Sequence, residues 1–275
     1  MVHLDPSQQG LPRFYQTLEF WQNQGIKNQF TDQSWLENLT SSEGLRERLN
    51  RSKLHLQVIL NHTILAENAK IIELGSGFSP FLYHCRQQGL KNLYALEPSD
   101  EICRFLDGQG ITTYPTLLET FITQKDLPQF DVVVLSHTME HLINPDVILR
   151  GLRTLLSDQG LLLIVVPYKD FFRPNPSGLH LHFFNENSMA HLLTKCGYQT
   201  LFLQADRLNA IETALIKTLD LIHKHKYSRV TWKSLFPHQR REHLHRFFWR
   251  PLRRLLRLKV SVIQEPRNLF ALARR

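Results

Sequence analysis

No apolar run in this 275-residue chain approaches the roughly 20 residues that cross a bilayer. The longest candidate, Leu161–Val166, has the length of a buried strand. The N-terminus lacks a basic region followed by an apolar stretch, so no signal peptide is expected. Cysteine is scarce: Cys85, Cys103 and Cys196 are far apart, show no metal-ligand spacing and read as reduced thiols of a cytoplasmic protein. Internal repeats and low-complexity tracts are absent. Acidic residues are rare at the C-terminal end. Residues 207–275 hold 17 Lys and Arg against 4 Asp and Glu, whereas the remainder holds 16 basic and 21 acidic residues. The net charge of +8 therefore belongs to one late segment. Such a segment suits an anionic partner (a phosphate-bearing substrate, a membrane surface or a nucleic acid) or forms a solvated helical face.

A hydrophobic content of 42% and a charged content of 21% fit a globular chain. Residues 1–66 read as a helical N-terminal cap. Phe14, Leu18 and Trp21 share one face, and Leu45, Leu49, Leu56 and Leu60 recur at helical spacing. From Ala69 short apolar strands alternate with helices. The strands are predicted at Ile71–Leu74, Asn92–Leu96, Ile111–Tyr114, Val132–Leu135, Leu161–Val166 and Tyr198–Gln204. Helices are predicted at Ser79–Gln88, Asp100–Gly108, Pro145–Leu156 and Asn185–Cys196, with Ser157–Gly160 as a turn. Strands apolar on both faces indicate a parallel sheet covered on both sides. Asn268–Ala273 reads as a last strand, inserted antiparallel. The prediction is an α/β, Rossmann-like, seven-stranded and mostly parallel sheet over 67–205 plus 266–275, with 206–265 as a basic helical insertion or lid.

The run Ile71-Ile72-Glu73-Leu74-Gly75-Ser76-Gly77-Phe78-Ser79-Pro80 leaves the first strand and enters a helix. Gly75 and Gly77 let the backbone turn sharply and approach a ligand. Ser79 can cap the helix, and Pro80 suits its first turn. Glu97 ends the next strand, about 20 residues on, where an acid pairs with ribose hydroxyls. The dinucleotide fingerprint needs a third glycine at position 80, and Pro80 stands there. That counts against NAD and for a nucleoside ligand without a pyrophosphate.

Glu73-Leu74-Gly75-Ser76-Gly77 resembles the first motif of class I S-adenosylmethionine-dependent methyltransferases, and Leu96-Glu97-Pro98 their second. Phe130 through Leu142 resembles the fourth-strand motif of the branch that includes ubiquinone and menaquinone biosynthesis enzymes. Leu156 through Leu163 is similar to the turn and fifth strand that follow, and His180-Leu181-His182-Phe183-Phe184-Asn185 to a run frequent in that branch. Ser79 departs from the glycine common there. The resemblance implies S-adenosylmethionine as cofactor, bound by Glu73, Gly75, Ser76, Gly77, Glu97, Pro98, Ser136 and His137. It has Glu73 hold the backbone or water network near the methionine part and places Glu97 on the ribose hydroxyls. Ser136 and His137 would lie beside the sulfonium, with adenine near Thr113–Thr116.

Methyl transfer from a sulfonium is an in-line displacement, so positioning dominates, and a base helps where the acceptor must lose a proton. His137, His180 and His182 are the candidate catalytic histidines. His180 and His182 are two apart, so in an extended segment both face one way. Tyr168, Phe171, Phe172, Phe183 and Phe184 are expected to line an apolar lid around them. His137-x-x-Glu140-His141 matches a zinc-protease pattern, but that pattern needs a helix throughout, and here it starts at the end of a strand. Some relatives of the fold this chain resembles bind a divalent ion through a Glu-His pair after the fourth strand, and the resemblance extends that option to Glu140, His141 and a loop histidine; the reading nevertheless assigns no metal.

His243–Lys259 is basic and apolar together, with Phe247, Trp249, Leu252, Leu255 and Leu256 on one face. It can pack as a lid, or let residues 240–259 touch an anionic membrane or a phosphate-bearing substrate. No base-reading signature accompanies it. The reading is an enzyme that methylates a small molecule or biosynthetic intermediate at oxygen, nitrogen or carbon. An RNA-modifying methyltransferase and a non-catalytic S-adenosylmethionine-binding protein are its alternatives.

Overall fold

The computed structural model describes residues 43–168, 180–205 and 268–275, with side chains from residue 49. The chain divides into two units, Met1–Ala205 with Asn268–Arg275, and Asp206–Arg267. Residues 1–42, 169–179 and the whole basic insertion, with the face Phe247 to Leu256, lie outside the described residues.

Helix α1 (Glu43–Leu60) leads to strand β1 (Lys70–Leu74), helix α2 (Pro80–Gln87) and strand β2 (Asn92–Leu96). Helix α3 (Asp100–Gly108), strand β3 (Thr112–Tyr114) and the short helix α4 (Leu118–Phe121) follow. Strand β4 (Phe130–Ser136) runs into a 3-10 turn at Met139–His141, then helix α5 (Pro145–Leu155) and strand β5 (Leu156–Pro167). Helix α6 (Glu186–Lys195), strand β6 (Gln199–Ala205) and strand β7 (Asn268–Arg274) complete the described elements.

The sheet has seven strands in the order β3-β2-β1-β4-β5-β7-β6. The first five pair in parallel, and β7 pairs antiparallel with both β5 and β6. This is the α/β arrangement expected from the apolar strands. Alternation sorts the side chains between two cores. Ile72, Leu74, Val133, Leu135, Leu162, Ile164 and Leu269 meet α5 and α6 through Ile148, Leu149, Leu152, Met189 and Leu193. Ile71, Val132, Val134, Leu163, Val165 and Phe270 meet α1, α2 and α3 through Leu56, Ile59, Phe81, Leu82, Ile102 and Leu106. A strand buried on both faces has no polar side to alternate with, so its sequence is continuously apolar.

The caps follow local chemistry. Asn185 accepts from Ser188 N at 2.9 Å, and Ser188 returns the bond to Asn185 N, a reciprocal capping box. Gly197 at φ 80° ends α6. One boundary differs from the sequence reading by more than two residues. Ser157–Gly160 lies within β5, where the pairing with β4 shifts register between Phe130 and Val132. Asp131 organises this irregularity, accepting from Ser157 Oγ at 3.0 Å and from Lys70 N at 2.9 Å. Among the described residues no helix is long and apolar enough to cross a membrane.

Candidate active site

The carboxyl ends of β1, β2 and β4 meet in one place, and each delivers a polar group there. After β1 the chain turns through Gly75 (φ 67°) and Gly77 (φ 52°) into α2. Gly75 N and Ser76 N both donate to Leu96 O, at 2.8 and 3.1 Å, so the turn is pinned to the end of β2. A Cβ at Gly75 would sit 2.7 Å from Thr138 Oγ1, and that oxygen donates to Leu74 O at 2.9 Å. Glycine is therefore required at position 75 both by φ and by the neighbouring threonine.

Ser79 also takes a positive φ, 41°, and caps α2 by accepting from Leu82 N at 3.0 Å. Its hydroxyl donates to Glu73 Oε2. Burial pushes the Glu73 carboxyl up to about 8, against the opposing pull of the Ser79 bond. Glu73 thus braces the loop through Ser79.

Glu97 closes the arrangement. Its Oε2 accepts from Gly77 N at 2.9 Å and its Oε1 from Ser99 N at 3.2 Å. Burial raises its carboxyl to about 7, and the two backbone N–H groups resist that rise. Each oxygen keeps a lone pair for a further donor.

Beyond β4, His137 adopts φ 55° and its N donates to Val165 O at 2.8 Å. Its Nε2 lies 3.1 Å from Arg51 Nη1, and its Nδ1 lies 3.5 Å from Glu140 Oε1. A guanidinium only donates, so Nε2 is the accepting nitrogen and Nδ1 faces the carboxylate. His55, one turn after Arg51 on α1, is fully buried against Phe81 and Phe270. Burial first, then the neighbouring His137 and Arg51, lower its imidazole to about 3.

A family model described as a methyltransferase domain matches residues 42–202, more than half of the chain. The chain belongs to that methyltransferase family. Among solved structures, it resembles an S-adenosylmethionine-dependent methyltransferase from Mesorhizobium loti, at 14% identity and TM-score 0.52. That match covers 82% of this chain and 98% of the other. The plantazolicin methyltransferase in complex with SAH matches at 14% identity and TM-score 0.53, over 87% of this chain and 93% of that one. Coclaurine N-methyltransferase bound to N-methylheliamine and SAH matches at 13% identity and TM-score 0.53, over 86% and 74%. These likenesses concern the fold. No curated protein matches the chain. The protein is thus a methyltransferase, built on a seven-stranded α/β sheet.

In this methyltransferase the residues present fit the cofactor that the sequence resemblance implies, S-adenosylmethionine: a glycine turn where a Cβ is excluded, and a buried carboxylate with unused lone pairs. Gly75, Ser76, Gly77, Glu97, Ser136 and His137, named from the sequence, converge at adjoining strand ends; Pro98 follows Glu97 directly. Glu73 accepts from Ser79, the residue that caps α2, and so holds the loop itself. The sequence reading missed Arg51, His55 and Thr138. Arg51 and His55 are four apart on the helical face that carries Ile59, and a polar i, i+4 pair beside buried positions was the available signal.

The rings of the two loop histidines of the methyltransferase have different neighbours. Leu181 N and His182 N both donate to Glu140 O, at 2.8 and 3.1 Å, and tie the segment to the turn after β4. The His180 ring lies 5.0 Å from that of His141, centroid to centroid, whereas His182 lies 6.1 Å from Phe184. Two consecutive N–H groups aimed at one carbonyl require a bend, and the same-face rule for extended chain does not hold there. The expected apolar lining also changes. Tyr168 and Phe184 are buried in the core beside α6, with Tyr168 Oη donating to Glu186 at 2.9 Å. Phe183 is exposed, and Phe171 and Phe172 lie outside the described residues.

Proposed function

We propose that this methyltransferase acts on a small-molecule acceptor, at an oxygen, nitrogen or carbon, with its cofactor on the β1–α2 loop. The observation that carries the reading is the Glu97 carboxylate, held across the glycine turn by Gly77 N and Ser99 N with lone pairs free for ribose hydroxyls. Gly75, Ser76 and Gly77 give the ligand close access to backbone, Pro98 shapes the exit from β2, and Ser136 and His137 border the reacting end. Glu73 keeps the loop in shape through Ser79. Bound S-adenosylmethionine supplies an electrophilic methyl on a sulfonium. The protein aligns the acceptor, excludes water and, where needed, takes a proton.

His137 is poorly suited to take that proton, because its Nε2 faces Arg51. We assign His137 to shaping the end of β4. His182 is half-buried, and among the described residues no hydrogen bond engages its imidazole. It is the base we favour.

Labelled S-adenosylmethionine, incubated with a small-molecule extract and separately with total RNA, tests the reading. Label in a low-mass product, reduced about a hundred-fold or more by His182→Ala, is the expected result. Label in RNA alone would overturn the choice of acceptor. Full turnover by His182→Ala would overturn the choice of base.

A further inference from the structure

Helix α1 brings a guanidinium to the end of β4. Arg51 Nη1 lies 3.1 Å from His137 Nε2, although 86 residues separate the two. The contact continues inward. His137 Nδ1 faces Glu140 Oε1 at 3.5 Å, and Glu140 is 1% exposed with no hydrogen bond to either oxygen. A buried carboxylate beside one ring nitrogen favours the tautomer that carries its proton there. The other nitrogen then turns its lone pair to Arg51. Glu140 and His137 thus set the position of the guanidinium, and His137 takes one of its five N–H donors.

The groups gathered at this end contrast with the rest of the body. Residues 1–206 hold 16 Lys and Arg against 21 Asp and Glu. Against that acidic background the end of β4 collects donors. His141 follows Glu140 in the 3-10 turn, and the His180 ring lies 5.0 Å from the His141 ring. Leu181 N and His182 N donate to Glu140 O, which holds the loop after β5 at the same turn. Nearby carboxylates are engaged elsewhere. Asp146 pairs with Arg150 and Lys195, and Glu186 accepts from Tyr168 Oη. A permanent cation among imidazoles, with Glu140 buried behind His137, favours an anion over a cation as the visitor.

We propose that Arg51 binds an oxyanion, a carboxylate or a phosphate, carried by the methyl acceptor, and so selects which small molecules are methylated. A guanidinium meets either group through two parallel N–H···O bonds, which fix distance and direction together. An acceptor anchored at one end has its nucleophile held at a set distance, which is the positioning that in-line transfer requires. Glu140 and His137 are positioning residues for that anchor. This role for Arg51 rests on the small-molecule methyl-transfer reading above.

Initial rates of label transfer from S-adenosylmethionine, measured over a series of small-molecule extract concentrations, test the anchor. Arg51→Gln is expected to raise the half-saturating extract concentration by about tenfold or more. The maximal rate should stay within about threefold, and Arg51→Lys should recover part of the loss. Glu140→Gln is expected to raise half-saturation in the parent protein and to add nothing in the Arg51→Gln chain, because it acts through that guanidinium. Arg51 is half-buried on α1, so its variants decide the question if Glu140→Gln does not fold. Sodium benzoate and sodium phosphate, against sodium chloride at equal ionic strength, should compete with the extract in the parent protein and not in Arg51→Gln. The better competitor tells carboxylate from phosphate. S-adenosylhomocysteine and 5′-methylthioadenosine, which lacks the amino-acid carboxylate, are titrated into the same samples, and both should bind Arg51→Gln as they bind the parent. Loss of S-adenosylhomocysteine affinity alone would place the anion on the cofactor and overturn the proposal. Label in a small molecule with half-saturation unchanged by Arg51→Gln would overturn the anchor and leave the methyl-transfer reading in place. Label confined to RNA would overturn the small-molecule reading, and the anchor with it.

Discussion

Glu73 and Glu97 are two buried acids that brace one loop, and burial holds both carboxyls above their ordinary range. The consequence for binding follows from Glu97, raised to about 7. Ribose hydroxyls donate to a carboxylate and so select its ionised form. S-adenosylhomocysteine affinity is therefore expected to fall about tenfold per pH unit below 7 and to level off above it. Glu97→Gln should bind weakly and without that slope. Calorimetry from pH 5.5 to 8.5 checks this, and an equal slope in the variant would contradict it. The consequence for stability follows from Glu73, raised to about 8 from an ordinary 4.5. The native state keeps a proton that the unfolded chain gives up, so this contribution is full below 4.5 and is lost as pH rises through about 8. Glu73→Gln is expected to flatten the decline in urea midpoint between pH 5 and pH 9. A decline as steep as in the parent protein would show that Glu73 is not its source. The sequence pointed to both acids, but not to the bond by which Ser79 captures Glu73. Which lone pair is spent on a neighbour depends on a φ of 41° at Ser79, and nothing in the residue type demands that value.

At the scale of elements, the turn between β1 and α2 meets the turn after β4 at Gly75 and Thr138. Gly75→Ala combines a φ of 67° with a Cβ 2.7 Å from Thr138 Oγ1. The expected cost is about 1–3 kcal/mol in stability, together with weaker cofactor binding. Thr138→Ala in the same chain should recover only part of it, because the φ strain stays. Denaturant melts of the single and double variants separate the two contributions, and full recovery would mean that contact alone matters. The regular elements were the legible part of the sequence. Asn92–Leu96 and Asp100–Gly108 occupy the residues expected, because uninterrupted apolar strands and a Gly-ended helix leave little freedom. The turns were less legible. Ser157–Gly160 reads as a loop by composition, yet Asp131 holds it beside β4 by accepting from Ser157 Oγ, while its other oxygen accepts from Lys70 N on β1. His180 and His182 separate because one carbonyl, that of Glu140, takes two successive N–H groups. Pairings of this kind depend on tertiary approach, which local sequence does not encode.

At the scale of the whole molecule, β7 joins β6 to the parallel core, and its seven residues are separated from Ala205 by the entire basic insertion. Leu269, Phe270 and Leu272 are buried there. Removal of Asn268–Arg275 is expected to abolish a cooperative thermal transition, because β6 loses its neighbour and both cores lose side chains. Phe270→Ala, a milder change, should cost about 3–5 kcal/mol. A truncated chain that melts as the full one does would contradict the assigned strand order. The order itself, with five parallel strands and an antiparallel return, places the ends of β1, β2 and β4 together, and the cofactor reading depends on that meeting point. Calorimetric titration of S-adenosylhomocysteine into the parent protein and Glu97→Ala tests that reading most directly. Binding of one equivalent by the parent protein, no binding of NAD, and a loss of roughly 1.5–3 kcal/mol in the variant are expected. Folded parent protein that binds no S-adenosylhomocysteine, or a variant that binds it equally well, would contradict the account.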